Sequence, residues 1–307
     1  MAYVDNIQKH RLYIAGAPGG SSIGPPVHEF IASELQKPWS MTFLQAENIY
    51  DVVKTYRRAD FAGGLITMPW KKTIIPHLDE VDDLVVLTGA CNLAYLTSAG
   101  KLRGANVDWI GIKTPLVAAR APMKDDVGMI YGAGGASRAA LYTLAVELST
   151  QTIYIANRDD SEAEDLIKDA SQYDQSLKLN IIHVKTAKQA QSLPAPAYII
   201  STVPDFEAKT PGEIAARSVL REFLARGKGQ DNVVLDMCYH PRNTRNLKLA
   251  SDFGWTIVDG VKVVGNQFRT QWKLWTGQEI SKATEEAAFA LLEEIAQNDP
   301  TVDPIPS

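Results

Sequence analysis

A glycine-rich turn near the middle of the chain is the clearest candidate for binding a ligand. Residues 128–140 read GMIYGAGGASRAA, so an apolar strand runs into glycines and then into an alanine-rich helix. Glycines let a backbone approach a pyrophosphate, and a helix N-terminus offers N–H groups and positive potential. Ser137 replaces the third glycine of G-x-G-x-x-G and is still small enough for close packing. The pattern predicts a dinucleotide site, with a tight strand-to-helix turn as the alternative.

The predicted dinucleotide contacts in this region are Gly132, Ala133, Gly134, Gly135, Ala136 and Ser137, with Thr202 after a later apolar run. The residues that follow the next strand bear on the choice between NAD and NADP. An acidic side chain there holds the ribose 2′-OH of NAD, whereas an arginine accepts the 2′-phosphate of NADP. The sequence offers Arg158 but also Asp159, Asp160 and Glu162. The negative charge favours NAD, with use of both nucleotides left open and a solvated acidic loop as the alternative. The candidate contacts here are Asn157, Arg158 and Asp160.

Polar clusters also follow predicted strands in the first half of the chain. They read SIGPPVH at 22–28, ITMPWKK at 66–72, GACN at 89–92 and GANVD at 104–108. With the glycine-rich turn, this series resembles the shikimate/quinate dehydrogenase family, whose motifs run S-x-S-P-x-x-H, N-V-T-x-P-x-K, G-A-x-N-T and G-x-N-T-D. The resemblance continues through DMCYHP at 236–241 and the segments 260–267 and 272–277. It covers about residues 11–280, in the family's order.

This resemblance implies an oxidoreductase that uses NAD or NADP to convert a ring hydroxyl of shikimate or quinate reversibly into the 3-dehydro ketone. Hydride leaves carbon for the nicotinamide while the hydroxyl loses a proton, so a proton carrier must stand at that oxygen. The motif lysine of the family maps onto Lys71, and its motif aspartate maps onto Asp108. Burial would lower the pKa of the lysine, while the carboxylate would hold its ammonium in place, and these two effects oppose each other.

The resemblance also implies a set of substrate contacts. Asn92 and Gln267 match positions that hydrogen-bond ring hydroxyls, a task for which an amide offers both a donor and an acceptor. Thr67 adds a hydroxyl, Ser22 matches the first of two serines that bind the substrate carboxylate, and Tyr239 borders substrate and nicotinamide. The alternative for each of them is a side chain that only completes its own turn or the core.

Several positions depart from the family pattern. Gly24 stands in place of the second carboxylate-binding serine, Leu65 in place of the Asn of N-V-T, and Leu93 in place of the Thr of G-A-x-N-T. Glu29 and Val263 replace an Asn and a Met. Gly24 removes one hydrogen-bond donor to the substrate carboxylate. The same set of motifs therefore also suits an enzyme that prefers quinate or a related ring acid, such as an amino-substituted one.

Strands that alternate with helices must position these residues. The predicted strands are Leu12–Ala15, Thr42–Gln45, Gly64–Thr67, Val127–Tyr131, Thr152–Ala156, Asn180–Val184, Tyr198–Ser201 and Val233–Asp236. This alternation predicts βαβ units and mostly parallel sheets. A last helix over Ser281–Gln297 places Ala287, Leu291 and Ile295 on one face.

The predicted fold class is therefore α/β with two domains. An N-terminal α/β substrate domain spans residues 1–107 and is completed by C-terminal helices at 261–299. A doubly wound, Rossmann-type domain for NAD or NADP spans residues 108–260. A length of 307 residues suits two domains that each bury a core.

Composition excludes several other classes of protein. The net charge of −5 argues against nucleic acid as a partner, and no apolar run approaches the roughly 20 residues that span a membrane. The two cysteines, Cys91 and Cys238, cannot build a disulfide framework, which predicts a cytoplasmic protein. Residues Met1–His10 lack the apolar stretch of a signal peptide, and the tail Pro300–Ser307 is expected to be disordered.

Competing functions remain at this stage. A non-catalytic sensor of nucleotides or metabolites could use the same scaffold, but the presence of both Lys71 and Asp108 argues against it. A hydrolase triad of Ser22, His28 and Asp108 lacks the G-x-S-x-G turn, and His28 is expected to be structural. No metal-ligand spacing is present. The predicted partner is a small ring acid, and a homodimer is left open.

Overall fold

The computed structural model describes residues 10–298 of the chain. The expectations for a missing signal peptide within residues 1–9 and for a disordered tail at Pro300–Ser307 lie outside the described residues. Two compact units make up the rest. The first unit holds the described residues up to Val107 together with Gln267–Ile295, and the second holds Asp108–Asn266 and residues 296–298.

Ten elements form the N-terminal part of the first unit. They are β1 (Arg11–Gly16), α1 (Gly24–Glu34), β2 (Ser40–Gln45), α2 (Ile49–Tyr56), β3 (Phe61–Ile66), α3 (Trp70–Thr73), β4 (Glu80–Val81), α4 (Asp83–Thr88), β5 (Leu93–Leu96) and β6 (Leu102–Ala105). A short 3₁₀ turn at Ile75–His77 follows α3. Strand β3 begins at Phe61, three residues before the predicted start at Gly64, and contains both Gly63 and Gly64.

Both glycines are required by packing. A Cβ on Gly63 would lie 2.3 Å from Cδ1 of Trp275, and one on Gly64 would lie 2.5 Å from Cζ of Tyr56. The buried Tyr56 ring in turn stacks on Phe61 with ring centroids 4.8 Å apart. Here glycine lets aromatic side chains approach a strand closely, so it does not end the strand.

The sheet of the first unit is mixed. Its strand order is β2-β1-β3-β5-β6-β4. Strand β1 pairs in parallel with β2 and β3, whereas β5 runs antiparallel to both β3 and β6. The β5–β6 hairpin was not predicted from the sequence. It reverses the chain so that the start of β5 and the end of β6 lie at the same edge of the sheet as the carboxyl ends of β1 and β3.

The second unit alternates helices and strands in the predicted manner. Its elements are α5 (Asp108–Ala119), β7 (Val127–Tyr131), α6 (Gly135–Tyr142), β8 (Thr152–Ala156), α7 (Asp160–Ala170), β9 (Asn180–His183), α8 (Ala187–Gln191), β10 (Tyr198–Ser201), α9 (Pro211–Arg226), β11 (Val233–Asp236), α10 (Arg245–Asp252), β12 (Thr256–Val258) and α11 (Gly260–Gly265). A π-helical turn at Thr143–Glu147 extends α6, and a 3₁₀ turn spans Gln175–Leu177.

The sheet of the second unit is parallel throughout. Its strand order is β12-β11-β10-β7-β8-β9, and each neighbouring pair runs in parallel. Counted from β7, this is the order 6-5-4-1-2-3 of a doubly wound dinucleotide-binding fold. The order reverses between β7 and β10, and ligands of such folds bind in the crevice that opens there. The prediction of an α/β chain with a doubly wound sheet is confirmed.

The chain returns to the first unit at Gln267, six residues beyond the predicted start at 261. Two helices follow, α12 (Phe268–Thr276) and α13 (Lys282–Asn298). On α13 the buried face consists of Thr284, Ala288, Leu292 and Ala296. The predicted face was wrong by one residue, since Ala287 is exposed and Leu291 and Ile295 are only half-buried. Of the helices within residues 10–298, none is both long and apolar enough to cross a membrane.

Candidate functional site

Several predicted substrate contacts lie at one edge of the first sheet. Ser22 lies in the loop after β1, Thr67 directly follows β3, and Asn92 directly precedes β5. Backbone bonds join these segments: the N–H of Thr67 donates to Ala15 O at 2.9 Å, and the N–H of Ile66 donates to Asn92 O at 2.8 Å. The antiparallel hairpin therefore adds Asn92 to the edge that the parallel strands β1 and β3 form.

Buried amide side chains connect this edge to the C-terminal part of the unit. Asn92 Oδ1 accepts from the N–H of Val107 at 2.7 Å, and Asn92 Nδ2 donates to Gln267 Oε1 at 3.1 Å. Gln271 Nε2 also donates to Gln267 Oε1, at 3.3 Å. The side chains of Asn92 and Gln267 are 4% and 6% exposed, so water competes little for these bonds. The structure thus brings together two of the predicted hydroxyl-binding amides.

Lys71 lies on the short helix α3, one turn after Thr67. Its side chain is half-buried, and its carbonyl accepts from the N–H of Cys91 at 2.8 Å, beside Asn92. The Thr67 hydroxyl donates to Ala15 O at 3.1 Å, which anchors the start of this turn on β1. Asp108 is buried, begins α5, and is bonded covalently to Val107, the residue that Asn92 holds. Asp108 is counted with the second unit and Lys71 with the first.

The loop before α1 leaves little room for a side chain at Gly24, where the family motif has its second serine. Ser22 Oγ accepts from the N–H of Gly24 at 3.1 Å. A Cβ on Gly24 would lie 3.2 Å from Ser22 Oγ and 3.3 Å from Ile14 Cδ1, closer than most Cβ contacts. Ser22 is therefore held by the backbone of the residue that replaces its motif partner, and the two motif positions supply one hydroxyl instead of two.

The two leucine departures are direct neighbours. Leu65 on β3 pairs with Leu93 on β5 in the antiparallel ladder. Side chains directly opposite each other in such a ladder stand on one face with their Cβ atoms about 5 Å apart. The replacements of an asparagine and a threonine by leucine therefore act as one change, an apolar pair where the family motifs carry a polar pair.

The glycine-rich turn of the second unit lies at the point where its strand order reverses. Gly132 follows β7 with φ of +118°, and a Cβ there would lie 2.4 Å from Thr202 Oγ1. Ser137 is fully buried, and its Oγ lies 2.7 Å from the same Thr202 Oγ1, so the small residue joins the start of α6 to the end of β10. Gly134 is exposed, and a Cβ there would have no atom within 4 Å. These residues fit a dinucleotide, because the backbone before α6 is left uncovered where a pyrophosphate would approach.

Arg138, a residue without a predicted role, supports this turn from inside the protein. It is 3% exposed, and its Nη1 donates to the carbonyls of Ala133 and Gly134 at 3.4 Å and 3.3 Å. Its guanidinium also forms an ion pair with Asp169. The available signal was an arginine among the small and apolar residues of 135–141, since arginine is almost never buried unless it is paired.

The residues at 157–162, which are predicted to decide between NAD and NADP, contact one another and Lys185. Asn157 Nδ2 donates to Asp159 O at 2.9 Å and to Glu162 Oε2 at 3.0 Å. Asp159 caps α7 by accepting from two backbone N–H groups, and its contact with the hydroxyl of Ser161 lowers its pKa most. The ammonium of Lys185, 2.7 Å from Asp160, likewise lowers the pKa of Asp160. Both aspartates are therefore ionised at neutral pH.

Tyr239 lies in the loop after β11, at the same edge of the second sheet as the glycine-rich turn. The loop is anchored on Asp236, which accepts from Cys238 N at 3.1 Å and from Thr244 Oγ1 at 2.7 Å. Burial raises the pKa of Asp236 to about 6. The Tyr239 ring lies against His240, with ring centroids 4.4 Å apart. The sequence pattern included Asp236 without giving it a role, and the structure makes it the support of this loop.

His28 is enclosed by aromatic side chains of the first unit. It is 1% exposed, accepts from Trp272 Nε1 at 3.2 Å through Nδ1, and lies edge-on to Phe268 at 5.2 Å. Burial lowers the pKa of His28 to about 3, so it stays neutral. This environment agrees with the structural role expected for it. Across the described part of the chain, no three His, Cys, Asp or Glu side chains are grouped to hold a metal ion.

Comparisons with known proteins agree with the resemblance seen in the sequence. A family model of the shikimate dehydrogenase substrate binding domain matches residues 14–94. A quinate dehydrogenase of Emericella nidulans is 32% identical over 289 residues, covering 87% of this chain and 88% of that protein.

Solved structures show the same fold. A shikimate dehydrogenase crystallised in complex with NADP+ is 25% identical, covers 94% of this chain and 96% of its own, and superimposes with a TM-score of 0.73. A quinate dehydrogenase from Corynebacterium glutamicum in complex with NAD, 22% identical, covers 92% of this chain and 99% of its own with a TM-score of 0.72.

Proposed function

Because this chain belongs to the shikimate and quinate dehydrogenase family, we propose that it reversibly oxidises a ring hydroxyl of quinate or shikimate to the 3-dehydro ketone. The observation that carries the proposal is the buried bond from Asn92 to Gln267, with Asn92 also holding the residue before Asp108. It joins motif residues from three separate segments, next to the turn that carries Lys71.

The two units divide the work in this proposal. The first unit, over residues 1–107 with the helices after Gln267, binds the ring acid, and the second binds the dinucleotide. When bound, the nicotinamide supplies the hydride acceptor. Gly132, Ala133, Gly134, Gly135, Ala136, Ser137 and Thr202 hold the pyrophosphate. The uncovered backbone at Gly134 and the close approach at Gly132 support this assignment.

Lys71 and Asp108 handle the proton. Oxidation of the alcohol releases one proton from the hydroxyl oxygen, and the Lys71 amine takes it, while the buried carboxylate of Asp108 holds the resulting ammonium in place. Lys71 is half-buried, so part of it stays within reach of solvent. Release of that proton to solvent completes the forward reaction.

Ser22 binds the substrate carboxylate, and Thr67, Asn92 and Gln267 bind the ring hydroxyls. Tyr239 borders the substrate and the nicotinamide. We infer that quinate is the better substrate, because Gly24 removes one of the two motif hydroxyls at the carboxylate end and because a relative that is 32% identical over 88% of its length is a quinate dehydrogenase. The apolar pair Leu65 and Leu93 supports a site that differs from one built for shikimate.

NAD is the proposed nucleotide. Asp159, Asp160 and Glu162 place three carboxylates within four residues after Arg158, and Asn157 is already bonded to Glu162. We expect Asp160→Ala to weaken NAD binding more than NADP binding, because it removes a carboxylate and releases Lys185. Fluorescence titration with NADH and NADPH measures the change. A larger loss for NADPH would give Arg158 the dominant role.

Turnover tests the proposal. Purified protein is mixed with quinate or shikimate and with NAD or NADP, and reduced nicotinamide is followed by its absorbance. We expect the fastest turnover with quinate and NAD. Lack of turnover with all four pairs, in protein that binds NADH, would refute the proposed substrate and favour a ring acid with altered substituents.

A further inference from the structure

An arginine and a glutamate that are distant in the sequence form an ion pair in the second unit, at the loop that follows β8. Arg158, the second residue after β8, donates from Nη1 to Oε1 of Glu213 on α9 at 2.9 Å. The side chain of Arg158 is 61% exposed and that of Glu213 is 26% exposed. The pair therefore lies at the surface, where a ligand can reach the guanidinium.

Glu213 is held in place by its own helix. It is the third residue of α9 and completes a capping box with Thr210, whose hydroxyl accepts from the N–H of Glu213 at 3.3 Å. Its Oε2 accepts from the N–H groups of Thr210 and Lys209 at 3.0 Å each. These bonds, with that from Arg158, lower the pKa of Glu213 to about 2. The carboxylate is thus charged at any pH where the protein works.

The backbone at Arg158 is packed against the start of the same helix. A Cβ on Gly212 would lie 2.3 Å from Arg158 O, so glycine is required for α9 to approach the end of β8 this closely. The position of Glu213 beside Arg158 therefore follows from the packing of two elements, and it does not depend on the chance meeting of two flexible side chains.

We propose that Glu213 makes this site prefer NAD over NADP by occupying Arg158, the side chain suited to the adenosine 2′-phosphate. The inference rests on the proposed function, since it concerns the nucleotide of that reaction. A phosphate monoester carries nearly two negative charges at neutral pH. To pair with it, Arg158 would have to leave Glu213, and the phosphate would lie next to a carboxylate that stays charged. The Asp159 carboxylate, which caps α7, adds negative charge at the same place. The 2′-OH of NAD meets no such repulsion.

Equilibrium binding of NADH and NADPH to the full chain, followed by nucleotide fluorescence, tests the inference in Glu213→Gln. Glutamine retains the capping contact at this helix position but carries no charge. Because exposed ion pairs are weak, we expect the Kd of NADPH to fall about fivefold and that of NADH to stay within twofold.

Two further variants make the result specific. The double variant Arg158→Ala with Glu213→Gln should lose the gain for NADPH. Glu222→Gln removes another carboxylate of α9, one bonded to Gln191, and should leave both nucleotides unchanged.

The outcomes separate the inference from the function on which it rests. An unchanged Kd for NADPH in Glu213→Gln, with NADH bound by the wild type, overturns the inference and leaves the proposed function standing. A gain that survives Arg158→Ala overturns it as well, because the arginine would then not be the group that receives the phosphate. A wild-type protein that binds neither nucleotide overturns the proposed function, and the inference with it.

Discussion

The two sheets of this protein build their candidate sites by different means. In the parallel sheet of the second unit, the site is made of backbone: a glycine at positive φ, an uncovered turn and the start of α6. In the mixed sheet of the first unit, an antiparallel hairpin brings Asn92 to the edge, and amide side chains connect it to Gln267. The candidate dinucleotide site is thus built from one strand–turn–helix segment, whereas the candidate substrate site depends on residues far apart in the sequence.

Among single substitutions, loss of the proposed proton acceptor Lys71 should lower turnover the most. We expect Lys71→Ala to lower kcat for quinate oxidation about 10³-fold, in the range typical of a lost general acid or base. Steady-state rates measure it. Lys72→Ala is the matched control, since this neighbouring lysine is exposed, and it should stay within twofold of wild type. Turnover of Lys71→Ala near the wild-type rate would remove Lys71 from the mechanism.

A methyl group on the uncovered turn of the second unit should weaken the binding of NADH without lowering the stability of the fold. In Gly134→Ala the added methyl group has no protein atom within 4 Å, so Tm should stay within about 2 °C of the wild-type value. The Kd of NADH should rise tenfold or more, because the methyl group lies where the pyrophosphate approaches. Gly132→Ala, strained at φ of +118°, should lower both Tm and affinity. Unchanged NADH binding in Gly134→Ala would show that this turn is not the nucleotide site.

Removal of the Gln267 side-chain amide should weaken substrate binding and leave nucleotide binding unchanged. We expect Gln267→Ala to raise KM for quinate about tenfold, the scale of one buried hydrogen bond, with the Kd of NADH within twofold. Asn266→Ala serves as the control, because its amide donates to Lys262 O at 2.7 Å within the second unit. A KM equal to that of wild type would exclude Gln267 from substrate binding.

Buried titratable groups in the two units should respond to pH in opposite directions, with small effects. Asp236 stabilises the fold below its ordinary pKa of 3.8, and this contribution is lost as the pH rises through about 6. His28 contributes above its ordinary pKa of 6.5, and that contribution is lost as the pH falls towards about 3. Relative to wild type, the Tm of Asp236→Asn should therefore rise between pH 4.5 and 7.5, and that of His28→Gln should fall. Thermal unfolding across this range measures both. Parallel trends in the two variants would contradict these assignments.

The second sheet was the easier half to predict from sequence. Strands β7, β8, β10 and β11 have the predicted bounds, because each is a short, continuous apolar run buried on both faces. The glycine-rich turn was recognisable for a similar reason, since all of its signal lies within 13 consecutive residues, 128–140.

Much of the first sheet lacked such local signals. The hairpin strands β5 and β6 have four residues each, and their pairing depends on neighbours that the local pattern does not reveal. The bond between Asn92 and Gln267 joins residues 175 positions apart, so no spacing rule could find it, and only the family resemblance indicated both residues. Nothing in the sequence indicated the contact of Glu213 with Arg158, since this contact follows from how α9 packs on the end of β8.

Titration of NADH into the Lys71→Ala protein tests most directly whether Lys71, in the first unit, serves the proton transfer and not the binding of the nucleotide. The account predicts a protein whose kcat for quinate is lowered about 10³-fold and whose Kd for NADH stays within twofold of the wild-type value. A Kd raised tenfold or more, in a variant whose Tm is unchanged, would contradict it.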